Sequence, residues 1–305
     1  MSAPYDHEAL WLKAKLFLNH AMDDPEVRSF DERALWSSLA LEALAKAALS
    51  RQSPLLIAVP TEEGTNVLIA LGLIGGNARF ESIPAKSVYS RCEKAFRPFS
   101  MSEAQKTSWA RNDYIHGASA SFTRLPEAAW WPKYWAQAHI LVSACEKDLD
   151  ALVGPDRAEI VENYLEQNKK HIEHRCETLI ARAKQRRAQY ESETLPAKVA
   201  KEWQPGSAPS SGLSYSSPHL CPACENMGEL EGDSRVDFST EYHGSSDGDY
   251  DIFVTLVVTS DYFSCGHCGL VLDQYELISQ AGIEDTFETE GDIDDIDPGE
   301  DYGND

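Results

Sequence analysis

Two groups of residues in this 305-residue chain have the types and the spacing to do chemistry. The first is Arg111-Asn112-Asp113-Tyr114-Ile115-His116, an R-N-x-x-x-H pattern. An imidazole carries protons near neutral pH, and a place at a helix C-terminus favours its charged form. An arginine fork can hold phosphoryl oxygens as negative charge builds on them, while Asn112 can orient the ring or the phosphate. With 14 arginines, 8 asparagines and 9 histidines in the chain, chance supplies ~0.01 copies of this pattern, so it carries weight. The second group is two C-x-x-C pairs, Cys221/Cys224 and Cys265/Cys268. Each such turn offers two sulfurs to one side of a tetrahedron, and two turns complete a four-thiolate site for Zn²⁺. Four sulfurs leave no open coordination position, so the zinc expected here is structural and not catalytic. His219 and His267 are alternative ligands, each expected on the surface instead. Two redox-active dithiols would call for a βαβ pattern that the flanking sequence lacks.

The elements that must position these groups are helical in the first half of the chain. Residues 7–22 carry an apolar face of Leu10, Trp11, Ala14, Phe17 and Leu18, and residues 31–50 are rich in Ala and Leu at helical spacing. A third helix is expected from Pro84 to Arg97. Ser100-Met101-Ser102-Glu103 is a capping-box sequence, so a fourth should start there and run to His116, with Gly117 in the left-handed stop position. Residues 127–153 read as one more helix. Residues 156–190 read as a long charged helix whose weak apolar spacing, Val161 to Ala183, suits either a coiled-coil seam or a surface helix. Ser, Pro and Gly then dominate up to Pro218. Beyond it the period becomes two, and residues 235–242 and 250–259 are expected to form an antiparallel hairpin between the cysteine pairs. The second pair, with Gly269 after it, resembles a zinc ribbon.

The R-N-x-x-x-H pattern in its capped helix resembles the HEPN superfamily, all-helical domains in which R-[NDH]-x-x-x-H marks metal-independent ribonucleases. The resemblance covers roughly residues 5–153 and extends to LALEALAKAAL in the second helix, which looks like the E-x-x-x-K helix of many such domains. It implies Arg111, Asn112 and His116 as catalytic residues, Glu42 and Lys46 as supporting ones, and cleavage by the RNA's own 2′-hydroxyl without a catalytic metal. Five residues along an α-helix turn through about 500°, which leaves Arg111 and His116 about 140° apart and off a common face. A homodimer whose protomers share the site is therefore expected, as the family commonly has. A toxin or a phage-defence effector is the setting that the resemblance suggests. A tyrosine that some HEPN toxins have modified two residues after the histidine is Ala118 here, which argues against that mode of control. The rival reading is a catalytically silent HEPN scaffold that binds a protein or nucleic acid through the ribbon.

Composition sets the outer limits. The net charge of −23 divides as −2 over residues 1–154, +1 over 155–204 and −22 over 205–305, so the N-terminal part is free to meet RNA. A zinc-ribbon transcription factor is disfavoured, because Arg235 is the one basic residue after position 204. No apolar stretch is long enough for a membrane span and the N-terminus lacks a signal-peptide pattern, so a cytoplasmic protein with reduced cysteines is expected. Cys92, Cys145 and Cys176 are then small buried hydrophobes. Residues 71–80 are glycine-rich but lack a P-loop lysine. Trp130, Trp131, Tyr134 and Trp135 read as core before base-stacking platform, and Lys184, Arg186 and Arg187 as a solvated face before an RNA track. The expected fold class is mainly α: a HEPN-like helical bundle over 1–154, a long charged helix over 155–190, a flexible linker over 191–218, a small β zinc ribbon over 219–280 and an acidic disordered tail over 281–305. The tail or the ribbon is where a protein partner would dock.

Overall fold

The computed structural model describes residues 5–23, 27–74, 81–206, 209–244, 250–292 and 295. They form two compact units, 1–169 and 170–305. The boundary falls inside one helix and not in the expected linker.

In the N-terminal unit, α1 (His7–Met22) precedes α2 (Phe30–Gln52), whose start is fixed by the Ser29 hydroxyl accepting the Glu32 amide at 3.2 Å. Buried residues lie on every side of α2, from Ala34 through Leu41, Leu44 and Ala48 to Ser50, because it packs against α1 and three later helices. Its many alanines let those neighbours come close while favouring the helix itself. The buried hydroxyls of Ser37 and Ser38 are satisfied by carbonyls one turn back, Arg33 at 2.9 Å and Leu35 at 2.7 Å. A short 3-10 helix (Pro54–Ile57) and α3 (Thr65–Ala70) follow, then α4 (Ala85–Ala95) and α5 (Met101–His116), near the expected limits. Residues 75–80 of the glycine-rich stretch lie outside the described residues.

The expected helix over 127–153 is two helices, α6 (Glu127–Ala144) and α7 (Leu149–Val153). Glu146 takes the left-handed conformation (φ 53°), the Lys147 amide reaches back to the Val142 carbonyl at 3.3 Å, and the Asp148 carboxylate caps α7 by accepting the Ala151 amide at 2.7 Å. Trp130, Trp131, Tyr134 and Trp135 are all buried, with Trp130 stacked on Tyr134 and meeting Phe30 and Trp131 edge-on, which makes them core and removes them as base-stacking candidates. Cys92 and Cys145 are buried too, and burial pushes the Cys145 thiol up to about 11.

Helix α8 (Pro155–Glu191) belongs to both units. Its apolar stripe is not a coiled-coil seam. Val161 and Leu165 enter the N-terminal core, whereas Ile172, Cys176, Leu179, Ile180 and Ala183 enter the core of the C-terminal unit.

That second unit contains a four-stranded antiparallel sheet in the order β1-β2-β5-β6, made of Tyr215–Leu220, Met227–Gly232, Tyr262–Cys265 and Leu270–Leu272. A three-stranded sheet in the order β3-β4-β7 holds Arg235–Gly244, Tyr250–Thr259 and Thr286–Gly291. The expected hairpin is β3 and β4, with Phe238 opposite Leu256 and Tyr242 opposite Ile252. Two expectations fail. The linker over 191–218 contains α9 (Ala197–Glu202) and the start of β1, and the tail expected to be disordered supplies β7, paired with β4 from Val254↔Gly291 to Thr259↔Thr286. In the linker, local helix bonds and pairing with the next strand, β2, order the chain, whereas β7 is captured by a strand about thirty residues earlier. A final helix, α10 (Tyr275–Gln280), buries Leu277 and Ile278. Among the described residues no helix is long and apolar enough to cross a membrane.

Glu231 shows how the former linker is held. Its carboxylate, only 2% exposed, accepts the amides of Ser211 at 2.9 Å, Gly212 at 2.8 Å and Leu213 at 3.1 Å, and the Ser210 hydroxyl at 3.0 Å. Glu231→Ala should leave those donors without a partner, lower the stability of the C-terminal unit by about 3 kcal/mol, and expose the amides of 211–213 to hydrogen exchange. Unchanged exchange at these three amides would refute this.

Candidate functional site

Helix α5 starts where Ser100 caps it, its hydroxyl accepting the Glu103 amide at 3.3 Å. The capping box closes on one side only, because the Ser100 amide donates to Gln137 Oε1 at 2.7 Å and the Glu103 carboxylate takes Lys106. The helix ends at Gly117, which is extended (φ −91°, ψ −168°) and not left-handed as expected. Glycine is needed there for room, since a Cβ would stand 2.3 Å from the Asp113 carboxylate and 2.5 Å from its carbonyl.

One side of α5 turns inward with Ala104, Thr107 and Ser108, and Arg111 follows them at helical spacing. The Arg111 guanidinium donates to Glu42 Oε2 of α2 at 2.7 Å, and Lys46 Nζ, one turn on, donates to Glu42 Oε1 at the same distance. All three side chains are largely out of water, at 15%, 21% and 15% exposure for Arg111, Glu42 and Lys46. Burial raises the Glu42 pKa, but Lys46 and Arg111 together outweigh it and hold the carboxyl below its ordinary value. Two cations share one anion, so the triad carries one net positive charge. Arg111 Nε also reaches Asn112 Oδ1 at 3.3 Å. Beneath it the phenol of Tyr89 from α4 accepts the Ser108 hydroxyl at 3.5 Å, and burial pushes the pKa of Tyr89 above its usual range.

The opposite side of α5 is open. Trp109, Asn112, Asp113 and His116 follow one another at three- and four-residue steps and are all exposed, Trp109 by 63%. The structure thus gathers Arg111, Asn112, Glu42 and Lys46, and sets His116 on the outward face. Tyr89 was missed in the sequence, where nothing about its position connects it to α5.

The cysteines meet although 41 to 47 positions separate the paired sulfurs. Cys221 and Cys224 lie in the turn between β1 and β2, Cys265 ends β5, and Cys268 lies in the turn before β6. Because β2 pairs with both β1 and β5, the two turns arrive side by side. The Sγ atoms of Cys221 and Cys268 are 3.6 Å apart, as are those of Cys224 and Cys265, and all four lie within 4.8 Å of one another. A disulfide would need about 2.05 Å, whereas a metal–sulfur distance of about 2.3 Å gives tetrahedral edges of about 3.8 Å. The cluster can therefore hold a metal ion. His219 instead lies edge-on to Phe263, and His267 is exposed.

The two turns are built alike. The Glu225 amide bonds the Cys221 carbonyl at 3.0 Å and the Gly269 amide bonds the Cys265 carbonyl at 2.8 Å, with both residues left-handed (φ 58° and 71°). That conformation costs Glu225 about 1 kcal/mol. At position 269 glycine is required, because a Cβ would fall 2.1 Å from Arg186 Nη1 and 2.8 Å from the Trp203 ring.

Removing the shared anion tests the triad. Glu42→Ala leaves two cations facing each other and should cost about 2–3 kcal/mol in urea unfolding at neutral pH. The folded carboxyl titrates below its unfolded value, so its contribution is present above the unfolded pKa and is lost as the pH falls through the folded one. The gap between wild type and variant should therefore close in acid, and a gap independent of pH would refute the assignment.

Compared with protein-family models, with curated proteins and with solved structures, the chain matches none.

Proposed function

We propose that the N-terminal unit is a metal-independent endoribonuclease of the HEPN type, acting on single-stranded RNA as a homodimer. The observation that carries this reading is the arrangement of the R-N-x-x-x-H residues: Arg111 is bound by Glu42, Glu42 is bound by Lys46, and His116 faces solvent on the same short helix. Of the Glu and Lys that the family resemblance suggested, Glu42 touches the arginine of the motif and Lys46 reaches it through Glu42.

In this mechanism the 2′-oxygen forms a bond to phosphorus while the bond from phosphorus to the 5′-oxygen breaks, which leaves a 2′,3′-cyclic phosphate. His116 moves the proton lost by the 2′-hydroxyl or gained by the 5′-oxygen. Arg111, fixed by Glu42, offers its remaining donors to the phosphoryl oxygens, and the surplus positive charge of the triad favours a phosphodiester beside it. Trp109 and Ile115, exposed on α5 by 63% and 50%, give that helix apolar surface of the kind a second protomer would cover. In the C-terminal unit the four cysteines hold structural zinc in a ribbon with no open position. Host or viral RNA is the substrate in a cytoplasmic toxin or phage-defence setting. The rival, a silent HEPN scaffold, draws on the engagement of Arg111 by Glu42, which occupies part of its fork.

Labelled single-stranded RNA incubated in EDTA separates the two. Cleavage should survive the chelator, give 2′,3′-cyclic ends, and fall at least ~100-fold in His116→Ala and in Arg111→Ala. No cleavage by the dimeric wild-type protein, or full activity in His116→Ala, would leave the scaffold. Zinc is tested separately: the purified protein should contain one zinc per chain, and Cys221→Ser should lose it along with the fold of the C-terminal unit. Full stability of that unit after chelation would contradict the structural role.

A further inference from the structure

Arg186 and Arg187, at the end of α8, would be expected from their sequence surroundings to lie in water. They do not. The Arg186 guanidinium donates from Nη1 to the carbonyls of Cys268 at 3.1 Å and Gly269 at 2.8 Å, and lies 5.6 Å from the centre of the Trp203 ring. Arg187 donates from Nη1 to the carbonyl of His267 at 3.2 Å, while its Nε bonds Glu191 at 2.5 Å. Three consecutive carbonyls of one cysteine turn therefore accept the two guanidiniums.

Each of those peptides has another end. The amide that shares the His267 carbonyl is that of Cys268, one of the four clustered cysteines, and the amide that shares the Gly269 carbonyl is that of Leu270, two residues beyond it. A donor on a carbonyl polarises its peptide and makes the N–H on the far side a stronger donor. Both peptides belong to the turn that carries the Cys265 and Cys268 sulfurs. Four thiolates around a divalent ion carry two net negative charges; the two guanidiniums oppose them, with Arg187 also paired to Glu191. Gly269 is the residue that lets Arg186 come so near.

We infer that Arg186 and Arg187 are outer-sphere residues of the four-cysteine metal centre, binding its second turn from behind and offsetting part of the charge of the metal tetrathiolate. The inference rests on the metal reading of the cysteines. It assigns the end of α8 to the metal site and removes these arginines from any RNA track.

The experiment uses the full chain loaded with Co²⁺ or Zn²⁺. Arg186→Ala/Arg187→Ala should weaken metal binding about 10–100-fold in chelator competition. It should also shift the sulfur-to-cobalt charge-transfer band, because sulfurs that lose two nearby positive charges donate more charge. Lys184→Ala, which removes one positive charge from the same helix, should change neither. Arg186→Lys/Arg187→Lys keeps the charge but loses the forked donor and should fall between, and it replaces the alanine pair if that pair does not fold. Should wild type bind one cobalt while the double variants keep both its affinity and its band, the arginine inference alone falls. Should wild type bind no metal, the metal reading falls and takes the inference with it.

Discussion

The carboxylate of Glu42 lies between the guanidinium of Arg111 and the ammonium of Lys46, and a charge removed from water has to be met where it stands. That requirement orders the N-terminal unit around its site. Helix α2 must bring Glu42 and Lys46 to one face, which their four-residue spacing does, and α5 must present Arg111 across from them. Once the ion triad fixes the rotation of α5, the outward direction of Asn112 and His116 is fixed as well. The inward face of α5 then stands over Tyr89, and the packing of α2 against α1, α4, α5 and α6 keeps the arrangement in place.

The same constraint recurs in the C-terminal unit with other partners. Glu231 is buried and is met by three amides and a hydroxyl, so a segment rich in Ser, Pro and Gly becomes a fitted strap. The cysteine turns gather four sulfurs, whose anionic forms need amides, a cation or both. The Ala223 amide, 3.4 Å from the Cys221 sulfur, meets part of that need. Arg186 and Arg187 extend it outward from the second turn. Candidate site residues and folding constraints are thus the same groups seen from two sides, in a unit whose sheets are small and whose core includes part of α8.

What could be read from the chain alone was whatever its near neighbours decide. Helices α1 and α2 follow from apolar spacing, α4 from the prolines that bound it and α5 from the Ser100 cap, all signals within a few residues. The alternation of β3 and β4 survives in the observed register, and C-x-x-C pointed to the four cysteines that cluster closely enough to hold a metal ion, because a sulfur pair of that spacing already defines half a tetrahedron. The 140° between Arg111 and His116 is likewise a property of the helix alone, and it separates an inward arginine from an outward histidine. Tertiary structure decided what distant partners decide. The capture of β7 by β4, the binding of residues 210–213 by Glu231, the division of α8 between two cores and the turn of Arg186 and Arg187 toward the cysteines all depend on groups brought together only by the finished fold. Local spacing fixes the direction in which a side chain leaves its helix or strand, but the gain from meeting a partner many residues away exists only after the intervening chain has closed, and no short window of sequence contains it.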